Sequence, residues 1–174
     1  MSRKLAPRLE SSEYLGCQRY FITICTHNRV GHFLSAPAVT MVLEQLRHCA
    51  ATQDIAIHAY CLMPDHAHVV LEGRSASSNL PEFMRQWKQS TAFYWRRSSG
   101  GQLWQRGYYD RVLRPDEDTA VVSRYVLANP VRAGLVADPT AYPFQGSDTT
   151  TMENLLWRAA DRQWHHRNRR ADHW

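Results

Sequence analysis

Residues 55–72 read IAIHAYCLMPDHAHVVLE, two apolar stretches joined by the letters MPD. Residues 55–62 and 66–72 are rich in side chains typical of strands, and a proline followed by an aspartate is typical of a tight turn. We therefore predict an antiparallel hairpin. Because side chains alternate along a strand, His66 and His68 share one face of the second strand. The opposite face is apolar and carries Ala67, Val69 and Leu71.

Five further segments surround this hairpin. They are a strand at 20–26, an amphipathic helix at 36–51, a long helix at 78–97, a strand at 108–113, and a helix that Asp116 caps and Pro130 stops at about Asn129. The order β-α-β-β-α-β-α predicts an α+β sandwich with an antiparallel sheet and helices covering one face.

Composition places the chain among globular proteins of one domain. It has 174 residues, of which 44% are hydrophobic, and a formal net charge of +5. A basic chain suits an anionic partner such as a nucleic acid, although the charge alone does not identify one.

The chain shows no sign of secretion or of a membrane. Residues 1–10 are charged and precede no apolar run, and no stretch has the length of a membrane span. The four cysteines show no CxxC pairing, which predicts free thiols and no zinc-thiolate site. We expect a cytoplasmic protein without membrane contact.

The histidine pair, His66 and His68, is the first chemical feature. Two imidazoles that project from one strand face, about 6.5–7 Å apart at the backbone, can converge on one metal ion. An H-x-H on a sheet surface also occurs by chance, so this spacing alone leaves metal binding open.

Tyr125 and Asn129 form a second feature, since residues four apart share a helix face. Taken alone, a tyrosine such as Tyr125 is more often a half-buried core aromatic. A phenol has a pKa near 10 and is a poor nucleophile at neutral pH, but a divalent metal can make a phosphate a better electrophile. Two imidazoles and one amide oxygen suit Mn²⁺ or Mg²⁺.

Basic and aromatic residues are interspersed between Arg74 and Arg114, a stretch that contains eight basic residues and two acidic ones. Basic side chains neutralise phosphates and aromatic rings stack on unpaired bases, although several of these rings must belong to the core. Among the aromatics, Trp104 is our main candidate for stacking on a base. The candidate DNA-binding residues are Arg85, Lys88, Trp104, Arg106, Arg111, Arg114 and Arg132.

The C-terminal residues 149–174 form a basic tail, which we separate from a domain at residues 1–148. From Met152 onward the tail is expected to be helical. It carries five arginines and three tryptophans between Trp157 and Trp174. A solvated tail and a DNA-contacting tail both fit this composition.

Several motifs occur in a recognisable order: YFIT from Tyr20, MPDHAH from Met63, LWQ from Leu103, DRV from Asp110, and YVLANPVRAGL from Tyr125. In this order they resemble the REP-associated tyrosine transposases, which are single-tyrosine members of the HUH endonuclease superfamily. The resemblance spans roughly residues 15–148.

This resemblance implies a ferredoxin-like sandwich with the histidine pair on a central strand. It implies His66, His68 and Asn129 as metal ligands, with Mg²⁺ or Mn²⁺ as cofactor, and Tyr125 as the nucleophile that forms a 5′-phosphotyrosine. The implied substrate is a single-stranded DNA hairpin of a repetitive extragenic palindrome (REP) with a short foot sequence, which places the protein at the nucleoid.

Other functions fit less well. A histidine-triad hydrolase needs a third histidine where Val70 stands. A two-histidine phosphoesterase needs two separated H-x-[ST] motifs, whereas this chain has one H-x-H pair and no such motif after it. The remaining alternative is a DNA hairpin-binding protein that has lost catalysis. We expect a monomer, because residues 113–116 form a short connection into the tyrosine helix, which favours packing within one chain.

Overall fold

The computed structural model describes residues 14–157, and the predicted tail beyond residue 157 lies outside them. Within this range five strands form one sheet: β1 (Arg19–Cys25), β2 (Ile55–Met63), β3 (His66–Gly73), β4 (Tyr109–Val112) and β5 (Gln145–Gly146). The helices of the same range are α1 (Ala36–Thr52), α2 (Leu80–Ser98), α3 (Thr119–Leu127), α4 (Asn129–Arg132) and α5 (Met152–Trp157).

The sheet has the strand order β4-β1-β3-β2-β5, and every neighbouring pair is antiparallel. The predicted hairpin is present, with only Pro64 and Asp65 between β2 and β3. The prediction of an α+β fold with the histidine pair on a central strand is therefore confirmed, since β3 lies in the middle of the sheet.

Helices α1 and α2 cover one face of the sheet, as predicted. Apolar residues repeat at helical spacing along both, and these side chains are buried against the sheet. The largest belong to Trp87, Phe83 and Leu46, each fully buried. Burying such a side chain stabilises the fold by roughly 1.5–3 kcal/mol. Ala67, Val69 and Leu71 belong to the same cluster.

Helix α3 packs on the opposite face, where the histidine pair projects. Val122 and Val126 are buried against Phe21 of β1, Cys61 of β2 and Val70 of β3. The prediction that helices cover one face therefore holds for α1 and α2. The third main helix covers the histidine-bearing face.

A β-bulge at His58 changes which side chains of β2 face α3. Ile57 pairs with Leu71 and Ala59 with Val70, so His58 is left out of the backbone pairing between β2 and β3. The extra residue reverses the alternation of β2 and turns the side chains that follow toward α3. These side chains are Ala59, Cys61 and Met63.

Two predicted boundaries of the tyrosine helix are wrong. Asp118, not Asp116, is the N-cap of α3, and its Oδ1 accepts a hydrogen bond of 2.8 Å from the Ala120 N–H. The helix ends at Leu127, and Pro130 lies in the first turn of α4 instead of stopping α3. A proline is tolerated there because the first turn has no partner for its missing N–H.

None of the helices in residues 14–157 combines the length and apolarity that crossing a bilayer requires. All four cysteines are free thiols, as predicted, and Cys17 is the exposed one.

Candidate active site

The two histidines of β3 point to one place on the α3 face of the sheet. Their Nε2 atoms are 3.1 Å apart and the ring planes are nearly perpendicular, at 86°. The same-face projection predicted from the H-x-H spacing is therefore present.

Each histidine is held from behind by a second side chain. His66 Nδ1 lies 2.5 Å from Asp65 Oδ1, and His68 Nδ1 lies 2.8 Å from Thr23 Oγ1. Thr23 stands directly opposite His68 in the β1–β3 ladder. Arg29 Nη1 lies 3.3 Å from Asp65 Oδ2 and so adjoins the same carboxylate. Such contacts fix ring orientation and tautomer.

The partners determine where the ring protons lie. An ionised carboxylate only accepts, so His66 Nδ1 carries a proton and donates it to Asp65. His66 Nε2 is then a bare lone pair that accepts from the His68 Nε2–H. His68 Nδ1 in turn accepts from the Thr23 hydroxyl.

Both imidazoles are neutral at pH 7. The pKa of His68 falls from its usual 6.5 to about 3. Burial is the largest cause, and His66, Arg132 and Arg29 act in the same direction. Burial also lowers the pKa of His66, against the opposing effect of Asp65. Neutral imidazole is the form that binds metal.

Tyr125 lies on the same face as the histidine pair, on α3. Val122 and Val126 anchor this helix in the core, which leaves the Tyr125 ring at the edge of that cluster. Phe21 connects the two features. Its ring stacks on His68 at a centroid distance of 5.6 Å and meets Tyr125 edge-on at 6.4 Å.

Arg132 covers the tyrosine. Its guanidinium carbon is 3.8 Å from the centroid of the Tyr125 ring, and Nη1 donates to the Tyr125 carbonyl at 3.2 Å. Nη2 donates to Asn129 Oδ1 at 2.6 Å. Its positive charge is a smaller cause of the lowered pKa of His68, after burial and His66.

Asn129 starts α4, and its amide is oriented by the helix before it. Nδ2 donates to the Val126 carbonyl at 2.9 Å, which turns Oδ1 outward to Arg132. The role of Asn129 as third metal ligand stays a prediction. Among residues 14–157 no three His, Cys, Asp or Glu side chains are grouped to hold a metal.

The burial of Trp104 does not suit the predicted role of stacking on a base. The indole is 3% exposed, packs on Phe33 and Trp87, and donates its N–H to Thr91 Oγ1 at 2.8 Å. An indole that is buried in this way leaves no free face for a base to stack on. The exposed aromatic residues of the same stretch include Phe93, at 57%.

The predicted basic residues fall into different groups. Arg85 pairs with Glu82 and Arg111 with Glu117, and both arginine side chains are partly exposed. Lys88 donates to two loop carbonyls. Arg106 and Arg114 are exposed, and Arg132 lies at the tyrosine.

Thr23, Phe21 and Arg29 belong to the site although the sequence did not single them out. Thr23 and Phe21 lie in the YFIT strand, but their neighbours depend on the register of β1 with β3, which spacing does not reveal. Asp65 lies in the predicted turn, and its contact with His66 follows from the two-residue connection between β2 and β3.

Fold and site together define a class of protein: an antiparallel α+β domain that presents a histidine pair and a tyrosine helix on one sheet face. Residues 16–129 match the family model described as IS200-like transposase. The chain belongs to this family, and it is by family a DNA transposase.

Two known proteins are similar over most of their length. A Haemophilus influenzae protein with the provisional name REP-associated tyrosine transposase is 25% identical over 140 residues, covering 72% of this chain and 77% of that protein. A solved structure of a REP-associated tyrosine transposase bound to a REP hairpin has a TM-score of 0.67 at 20% identity. It covers 83% of this chain and 82% of that one, and it shows the shared fold.

Proposed function

We propose that this transposase cuts and rejoins single-stranded DNA at hairpins through a covalent bond to Tyr125. One observation carries the proposal. The histidine pair and Tyr125 occupy the same face of the sheet, and the Phe21 ring contacts both His68 and Tyr125.

The donor set fits a divalent metal, Mg²⁺ or Mn²⁺. His66 and His68 are neutral and converge, and the Asn129 amide oxygen is the third ligand that we propose. When bound, the ion polarises the scissile phosphate and offsets the charge that develops on it. Imidazole ligands favour Mn²⁺ over Mg²⁺.

The Thr23 hydroxyl allows His68 to serve as a ligand. Metal binding requires a bare Nε2, so the proton of His68 must move to Nδ1, facing Thr23 Oγ1. A hydroxyl both donates and accepts, so the 2.8 Å contact survives with its direction reversed. His66 already has its proton on Nδ1 and needs no such change.

Tyr125 supplies the nucleophile. Its phenol oxygen attacks the phosphorus, the bond from phosphorus to the 3′ oxygen breaks, and a 5′-phosphotyrosine forms. The phenol proton is released to solvent, and the leaving 3′ oxygen takes a proton from solvent, so the charge balances. Attack by a 3′-hydroxyl reverses these steps and rejoins a strand.

Arg132 positions the reacting groups. It holds the Tyr125 carbonyl and the Asn129 amide oxygen at once, and its cation lies against the tyrosine ring. A guanidinium in this place offsets phosphate charge during transfer.

The substrate that we propose is a REP hairpin with a short single-stranded foot. The support is the relative whose name includes REP and the hairpin-bound structure of similar fold. A protein that acts on chromosomal repeats works at the nucleoid. We propose that it acts as a monomer, because both halves of its site belong to one chain.

The test compares three proteins on a labelled REP hairpin. Wild type should cleave with Mn²⁺ and stop with a chelator, and His66→Ala should lose metal-dependent cleavage. Tyr125→Phe should bind the hairpin as wild type does but not cut it. Binding without cleavage in the wild type, under every divalent ion, would instead identify a catalytically silent hairpin-binding protein.

A further inference from the structure

A second concave site lies away from the tyrosine, between α2 and the loop at residues 101–106. It is an open cavity of about 640 Å³, a size typical of sites for small ligands and single nucleotides. Leu103 and Trp104 form its apolar base, and both are buried.

The cavity wall is cationic. Lys88, Arg96 and Arg106 line it, and none of the described residues that line it is acidic. Arg96 and Arg106 are exposed and form no ion pair with any residue in 14–157. By contrast, Arg85 and Arg111 nearby are held by carboxylates. Unpaired guanidinium groups around a cavity favour an anion.

The protein framework holds this cavity in shape. Lys88 Nζ donates to the carbonyls of Gln105 and Arg106, at 3.0 and 2.9 Å, and so fixes the loop to α2. Below it the Trp104 indole is bonded to Thr91. Arg106 is therefore presented from a loop that is held at several points.

The same loop continues the edge of the sheet toward the histidine pair. The Gln105 N–H donates to the Cys25 carbonyl at 3.0 Å, and Cys25 pairs with His66 on its other side. Gln105 thus lies two strand spacings from His66, about 10 Å. The cavity lies on the α2 side of the sheet, so a DNA strand that occupies both places has to pass around the end of β1.

We propose that this cavity, lined by Lys88, Arg96 and Arg106, binds the backbone of the single-stranded DNA that flanks the cleaved phosphate. This inference rests on the proposed function for the identity of the strand.

Fluorescence anisotropy of the full chain tests this, with a chelator present so that nothing is cut. The probes are a labelled REP hairpin without a flank and the same hairpin with a single-stranded flank of about eight nucleotides. The variant is Arg96→Gln with Arg106→Gln. The control is Arg74→Gln with Arg97→Gln, which likewise removes two positive charges from a net charge of +5. Arg97 lies over the Phe93 ring and outside the cavity.

We expect the cavity variant to bind the flanked hairpin roughly tenfold more weakly, with a smaller salt dependence by about two phosphate contacts. Its affinity for the unflanked hairpin should match that of the control. An equal loss on both probes, or no loss on the flanked one, would overturn the proposal. Since no cleavage is measured, the result does not depend on whether Tyr125 is the nucleophile.

Discussion

The histidine pair depends on two partners that only the structure reveals. Asp65 fixes the proton of His66, while the Thr23 hydroxyl can hold His68 in either tautomer. The H-x-H spacing predicts that the imidazoles share a face, because alternation is a property of any strand. It does not predict Thr23, whose place depends on the register between strands 45 residues apart.

Replacing Thr23 should weaken metal binding specifically. Thr23→Val keeps the shape of the side chain but loses the hydroxyl, so His68 loses its orienting bond. We expect Mn²⁺ affinity to fall about 10- to 100-fold, as for other residues that orient metal ligands. Isothermal titration calorimetry on the full chain measures this.

The matched control is Thr23→Ser, which keeps the hydroxyl and should restore most of the affinity. Thermal melting of both variants checks that the fold is intact. Equal Mn²⁺ affinity in Thr23→Val and wild type would show that the contact with His68 has no positioning role.

Trp104 shows where residue-level inference fails. A tryptophan among arginines is typical of a stacking site on single-stranded DNA, and composition cannot distinguish it from a core residue. In the structure Trp104 forms an isolated antiparallel bridge with Thr26, and its indole is buried. The neighbouring polar residues remain at the surface and form the cavity.

At the level of elements, alternation and helical spacing predict the strands and helices, but not the bulge or the caps. The bulge at His58 reverses which side chains of β2 face α3, but nothing in the sequence of β2 reveals it. The cap differs because both Asp116 and Asp118 are good N-cap residues. The choice between them depends on local backbone geometry.

The cap gives a direct test of the start of the tyrosine helix. Asp118→Ala removes the acceptor of the Ala120 N–H and should lower the free energy of unfolding by about 1 kcal/mol. Asp116→Ala should leave it nearly unchanged, since Asp116 makes no side-chain hydrogen bond with a described residue. Urea unfolding of both variants measures the difference, and the reverse order would place the helix start at Asp116.

At the scale of the whole molecule, α3 closes over the sheet of its own chain. Residues 113–118 connect β4 to α3, and α3 then packs on β2 and β3. In this structure the histidine pair and Tyr125 lie on the same chain. The sequence predicts this arrangement only through the shortness of the connection.

Mixing two inactive variants tests whether the site is formed within one chain. Tyr125→Phe keeps the histidine pair, and His66→Ala keeps the tyrosine. If each chain forms its own site, an equal mixture should stay inactive on hairpin DNA. Recovery of cleavage in the mixture would show that the tyrosine helix acts on the sheet of a partner, and light scattering would then show a dimer.

The most direct test of the central claim follows the covalent bond itself. Full-length protein is incubated with a REP hairpin labelled at its 3′ end and Mn²⁺, and the products are separated on a denaturing gel. We expect the label to migrate with the wild-type protein, because the 5′-phosphotyrosine joins the labelled fragment to Tyr125. No such species should form with Tyr125→Phe. Cleavage that persists in Tyr125→Phe, or a free 5′-phosphate with no covalent species at any time, would contradict the claim.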